Sequence, residues 1–135
     1  MLKLYVDAAT RGNPGPSGIG ILIVGKNIYE QLSFPLNTNM SNHEAEFSAL
    51  LRGLEEIIKR NMMTDTIFVY TDSKIVAETI DKNHTSNHKF KPYLLEIQTL
   101  LASFPLILIQ WLPEKQNKGA DNLARQGLKK ALDNK

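Results

Sequence analysis

The stretch LYVDAATRGNPGPSG, residues 4–18, governs how the rest of the chain is read. From Leu2 to Asp7, apolar Leu2, Leu4 and Val6 alternate with Lys3, Tyr5 and Asp7, the two-residue period of a strand. Asp7 closes that run, and aspartate is depleted in strands, so its carboxylate calls for a reason. A phosphate-cradling loop would need G-x-x-x-x-G-K followed by Ser or Thr. The segment GNPGPSG, residues 12–18, has no lysine after it, and its two prolines remove N–H donors such a cradle uses. Asp7 needs another explanation.

Working outward, Ile19–Val24 and Ile28–Leu36 read as two further strands joined by the turn GKN, residues 25–27. The first three strands then form an antiparallel meander. SNHEAEFSALLRGLEEIIKR, residues 41–60, is the strongest helix, and Ser41 with Glu44 fits a capping box. TIFVYTDS, residues 66–73, reads as a buried parallel strand ending in polar residues. Helices are expected over Lys74–Ile80 and Lys91–Ala102, then a strand in PLILIQWL, residues 105–112. Asn117 is expected to cap a closing helix that runs to about Leu132. This βββ-α-β-α-α-β-α order predicts an α/β domain spanning residues 1–135, with a mixed five-stranded sheet flanked by helices.

The composition, 42% hydrophobic and 22% charged over 135 residues, is that of one globular domain. With no cysteine, disulfides, thiolate nucleophiles and cysteine-ligated metals are excluded. The N-terminal MLKLYVDAAT is too short an apolar run for a signal peptide and no segment approaches a membrane span, which with the absent cysteine gives the expectation of a cytoplasmic protein with no membrane partner. The net charge of +2 permits contact with a polyanion without driving it.

Three more acids stand where a strand end or helix face would aim them. Glu46 shares the stripe of Leu50, Gly53 and Ile57, whereas Glu44 lies on another face and serves the cap. Asp72 ends the strand IFVY and precedes a helix, and ligands gather beyond the carboxyl ends of such strands. Asp121 lies early in the last helix, beside the stripe of Ala120, Leu123, Ala124 and Gly127. Singly, Asp72 reads as a turn residue, Asp121 as a helix N-terminal charge and Glu46 as a half-buried charge. In one pocket, the four would repel by roughly 4 kcal/mol per pair at ~4 Å and an effective dielectric near 20. Such a pocket needs a cation or protonated acids. An all-oxygen set suits Mg²⁺ or Mn²⁺, and two such ions serve displacement at phosphorus. Spacing alone does not bring the four together.

The segments VDAATRGNPGPSG, SNHEAEFSALLRGL, VYTDSK and NKGADNLARQGL resemble type 1 ribonuclease H, in the family's order and over nearly the whole chain. The resemblance implies a ribonuclease H-like fold with Asp7 and Asp72 on neighbouring strands. It implies that Asp7, Glu46, Asp72 and Asp121 are the catalytic, metal-binding acids, holding two Mg²⁺ ions, with Mn²⁺ as an alternative. Asp7 would bridge the ions, Glu46 and Asp72 would complete one site, and Asp121 would hold the other. The reaction would be hydrolysis of the RNA strand of an RNA–DNA hybrid, leaving 5′-phosphate and 3′-hydroxyl ends, by a monomer. Gly12, Asn13, Gly15, Asn42, His43 and Lys74 fall where the family contacts its substrate. Two alternatives are a hybrid-binding module that cleaves little and a DNA-directed nuclease on the same fold.

The chain departs from the family's pattern in places. Ala8 replaces a glycine, His43 an asparagine and Lys74 a glutamine. LPEKQNKGA, residues 112–120, lacks the histidine many members carry there, leaving Glu114 or Lys115 as substitutes if their charges are not simply solvated. Lys82, Lys89 and Lys91 are the few cations where some members insert a basic helix, and His84 and His88 read as solvated. Trp111 is expected in the core or floor, with stacking on a base as the lesser alternative.

Overall fold

The computed structural model describes residues 1–63 and 65–134. Strand β1 (Leu2–Thr10) pairs antiparallel with β2 (Gly15–Gly25), and β2 with β3 (Ile28–Met40). On its other side β1 pairs in parallel with β4 (Ile67–Thr71), and β4 with β5 (Ile107–Trp111), giving the order β3-β2-β1-β4-β5. Four α-helices complete the fold among the described residues: α1 (Asn42–Lys59), α2 (Lys74–Lys82), α3 (Lys91–Leu101) and α4 (Lys118–Asp133). The expected order of elements and the mixed five-stranded sheet are both present.

The period-two pattern sends Leu4 and Val6 of β1, Ile19, Ile21 and Ile23 of β2, and Ile67 and Val69 of β4 to one buried face. Phe47, Leu50, Leu54 and Ile57 of α1 close over that face. The helix lies close because Gly53 has no side chain, and a Cβ there would stand 2.9 Å from a Val6 methyl. Its start is set by the Ser41–Glu44 capping box, with both reciprocal bonds made. Glu46 therefore arrives at the sheet in a fixed orientation.

On the opposite face α4 packs over β1, β2 and β3. A Cβ on Gly18 would meet the Leu128 nitrogen at 1.9 Å, and one on Gly20 the Ala120 carbonyl at 2.2 Å. These bare positions let α4 descend onto the sheet. It does not reach across β4, so Phe68 and Tyr70 remain half-buried while Ile67, Val69 and Thr71 are buried. The expectation of a fully buried β4 thus holds for one face only. Tyr70 stacks on Tyr5 of β1, with ring centres 5.0 Å apart.

The strands overrun their expected ends. Ala8, Ala9 and Thr10 pair with Ile19, Gly18 and Ser17, so the Gly- and Pro-rich segment is mostly strand with a short reversal. Gly12 takes φ +76° in that reversal, and a Cβ on Gly15 would sit 1.8 Å from the Arg11 carbonyl. Strand β3 continues through Pro35 to Met40, which is tolerated because β3 is an edge strand. No helix among the described residues is long and apolar enough to cross a membrane.

Candidate active site

Asp7 is only 6% exposed on the central strand β1. Asp72 follows Thr71, the last residue of the adjacent β4, whose register partner is Val6. Its backbone is pinned from both sides. The Ser73 N–H donates to Thr71 Oγ1 at 3.1 Å, and Ser73 Oγ caps α2 by accepting from the Val76 N–H at 3.2 Å. The Trp111 indole N–H donates to the Asp72 carbonyl at 3.0 Å. Glu46 comes in from α1, and one carboxylate oxygen from each of Asp7, Glu46 and Asp72 lies within 4.8 Å of the other two.

Burial is the main cause that raises all three acids. Asp7 is pushed up to about 9, first by burial and then by the charge of Asp72. Burial also raises Glu46, against the Ser73 hydroxyl and nearby His43, which favour its charged form. Asp72 is raised by burial and by the charges of Glu114 and Asp121. Three crowded carboxylates, all shifted toward their neutral forms, fit a hard divalent cation, which would relieve both burial cost and repulsion.

Asp121 and Glu114 line the same cleft as Asp7, Ala8, Glu46 and Asp72. Asp121 stands outside the tight trio, and its Oδ2 is 3.2 Å from Nε of Arg125 one turn along α4. Glu114 sits in a short 3-10 turn, Glu114–Gln116, between β5 and α4. Sequence reasoning left it between a solvated charge and a stand-in for the absent histidine, and the fold places it at the cleft.

Two expectations are corrected here. Asn117 occupies the N-cap position of α4 but makes no side-chain cap. Its Nδ2 instead donates to the Val6 carbonyl at 3.0 Å, fully inside the protein, and its side chain favours the charged form of Asp72. It ties the start of α4 to β1 beside Asp7. Trp111 is not core, because β5 is an edge strand and its ring stays 43% exposed. Neither role is visible in sequence, where asparagine before a helix reads as a cap and tryptophan after an apolar run reads as core.

The expected substrate residues fall into two places. Asn13 Oδ1 accepts from the Asn42 N–H at 3.1 Å, joining the reversal that holds Gly12 and Gly15 to the start of α1. The two glycines also have local reasons, a left-handed φ and a carbonyl contact. His43 adjoins the acids, with Nδ1 3.7 Å from Glu46 Oε2. Lys74 stands apart from this group, its Nζ 5.0 Å from the Trp111 ring centre.

Residues 5–127 match a family model described as reverse transcriptase-like. The chain is 52% identical to a putative hydrolase, EbsB, of Enterococcus faecalis, over 100% of this chain and 99% of that one. It spans about half the length of several curated relatives called ribonuclease H, such as that of Trichodesmium erythraeum, 34% identical over 83 residues and covering 60% of this chain and 48% of the relative. Among solved structures, ribonuclease H1 of Halobacterium salinarum superposes with a TM-score of 0.87 at 28% identity, covering 96% of this chain and 98% of that one. LC11 ribonuclease H1, solved in complex with an RNA/DNA hybrid, superposes with a TM-score of 0.89 at 25% identity, covering 98% and 99%. Fold, acidic cleft and these matches agree: the chain belongs to the ribonuclease H family.

Proposed function

We propose that this protein is a metal-dependent endoribonuclease that hydrolyses the RNA strand of RNA–DNA hybrids, with Asp7, Glu46, Asp72 and Asp121 as its metal-binding acids. The observation that carries this reading is the trio of carboxylates from β1, α1 and β4 with oxygens within 4.8 Å of one another. The hybrid bound in the LC11 structure supports the substrate class. Asp7, Glu46 and Asp72 would hold one divalent ion, preferably Mg²⁺ or Mn²⁺, and Asp121 with Asp7 would hold a second once Arg125 releases it. Bound ions would supply the charge that makes water a nucleophile near neutral pH and steadies the leaving oxygen.

The chain's own residues do the remaining work. Asp7 and Asp72 keep their places because β1 and β4 are paired, and rigid elements hold a reacting constellation most accurately. Ser73 and His43 steady Glu46, and Asn117 fixes α4 against β1. Asn13, Asn42, Gly12 and Gly15 form one surface for the minor groove and its 2′-hydroxyls. His43 lies against Glu46, and Lys74, beside Trp111, would contact the substrate beyond Asp72. The protein is proposed to act as a monomer in the cytoplasm.

The Arg125 ion pair on Asp121 favours a second reading, a hybrid-binding module with an incomplete second metal position and little cleavage. A labelled hybrid incubated in Mg²⁺ and in Mn²⁺, beside an Asp7→Asn control, decides between them. Cleavage that the control lacks supports the enzyme. Retention of the hybrid without cleavage in either metal supports the binder, and cleavage of duplex DNA instead would move the assignment to a DNA-directed nuclease.

A further inference from the structure

The two edges of the sheet are guarded differently. On β3, Glu30 is held by Arg60 at 3.8 Å, Pro35 removes an N–H, and Lys130 Nζ donates to the Ser33 carbonyl at 2.9 Å. Charges, prolines and covered carbonyls are how edge strands avoid pairing with a stranger. Edge strand β5 has none of these, since the chain carries no charged residue between Glu96 and Glu114 and no proline from Leu106 to Leu112. Only its length, five residues, limits what can pair with it. The Ile67 N–H donates to the Leu106 carbonyl and the Leu112 N–H to the Thr71 carbonyl, so the even-numbered residues of β5 face β4. By alternation Ile107 and Ile109 turn N–H and C=O outward, and among the described residues no other group bonds them. A groove of about 270 Å³ follows this edge, lined by Ile80 and Asp81 of α2, Leu101 of α3 and Ile107, Leu108 and Ile109. Leu108 points to the face opposite Ile107 and Ile109, so the groove wraps the open edge rather than one face. Asp81 is exposed there and joins no ion pair among the described residues.

We propose that this edge receives an extended segment of another protein, which adds a strand beside β5 and sets a lysine or arginine against Asp81. The outward backbone groups supply the affinity, because they bond any extended main chain, and the groove supplies the selection. Alternate apolar side chains of the segment enter the groove against Ile80, Leu101, Ile107 and Ile109. The intervening side chains lie over the exposed Leu106 and Leu108 on the other face. Asp81 sets the sign of the charge, repelling an acidic segment and pairing with a basic one. A nucleic-acid strand fits poorly, since an uncharged edge beside a carboxylate offers nothing to phosphate. The groove shares no residue with the acidic cleft, so the proposal stands apart from the reaction.

The test uses the whole protein, isotope-labelled, and a blocked synthetic peptide of alternating valine and threonine. The peptide carries a lysine at each end, so either strand direction brings one to Asp81. Amide exchange is followed by NMR. At about 1 mM peptide the Ile107 and Ile109 amides are expected to slow by about tenfold, while Leu108 and Gln110, already in the ladder, stay as they were. Ile109→Pro removes an outward N–H without costing a ladder bond, so it folds and binds the peptide about tenfold more weakly. Asp81→Lys exchanges the preference, binding a glutamate-ended peptide about threefold better than the lysine-ended one. That variant carries the test if the proline variant does not fold. Unchanged exchange at Ile107 and Ile109 overturns the proposal, as does a preference for lysine ends that survives Asp81→Lys. Slowing that follows protein concentration without peptide would place a second copy on this edge and overturn the assignment to another protein. Hybrid cleavage is untouched by any of these outcomes.

Discussion

Asp7 and Asp72 enter the cleft from paired central strands, whereas Glu114 and Asp121 reach it from a 3-10 turn and from α4. The strand pair cannot relax. Asp7 is buried, and Asp72 is pinned through Thr71, Ser73 and Trp111, so burial first and neighbouring charge second raise both carboxyls. The helix side relaxes locally, because Asp121 has Arg125 one turn away and Glu114 is exposed. Like charges in one cleft are therefore stored in two ways, as raised pKa values on the sheet and as a solvent-facing ion pair on the helix. The sheet side is built to need a cation, and the helix side can do without one.

That contrast can be broken at either end. The largest effect is expected for Asp7→Asn, which should cut hybrid cleavage by on the order of a thousandfold, with Glu46→Gln close behind. Equal activity in these variants would remove the sheet side from the chemistry. Next comes pH. The bare protein holds a proton on Asp7 up to about 9, and an ion must displace it. Affinity for Mn²⁺ should therefore tighten as pH rises from 6 to 8, by about tenfold per unit for one displaced proton. A flat profile would mean that Asp7 does not exchange its proton for the ion.

The same shift has a stability consequence of known sign. The folded pKa of Asp7 is raised from 3.8 to about 9, so its contribution is complete below about 3.8 and is lost as pH rises through about 9. Melting temperature in chelator should fall across that window, and Asp7→Asn should flatten the fall. On the helix side effects should be smaller. Asp121→Asn is expected to reduce cleavage by about tenfold, less than Asp7→Asn, because Asp121 already pairs with Arg125 and would share the second ion with Asp7. Glu114→Gln should weaken divalent binding by about twofold, since exposed charges act through high dielectric. A loss on the helix side that matched Asp7→Asn would erase the distinction.

The legibility of the molecule follows the same division. The alternation of Leu2, Leu4 and Val6, the Ser41–Glu44 box and the stripe through Gly53 are local signals, and each set its element correctly. They suffice to aim Asp7 and Glu46. Strand lengths were harder to read, because Gly15–Gly18 looks like a turn until β1 and α4 supply partners and a close neighbour. Asn117 and Trp111 escaped because their roles depend on residues 111 and 39 positions away, Val6 and Asp72. The place of Glu114 at the cleft is not legible either, since nothing in LPEKQNKGA says which way a charged turn faces. Partners distant in sequence leave no periodicity to read.

The central claim is that Asp7, Glu46 and Asp72 take a divalent ion in exchange for a held proton. A calorimetric titration with Mn²⁺ at pH 7.5, run in two buffers of different ionisation heat, tests it directly. The account predicts binding with about one proton released per ion, and loss of that proton in Asp7→Asn. Binding with no proton released, or none that depends on Asp7, would contradict it.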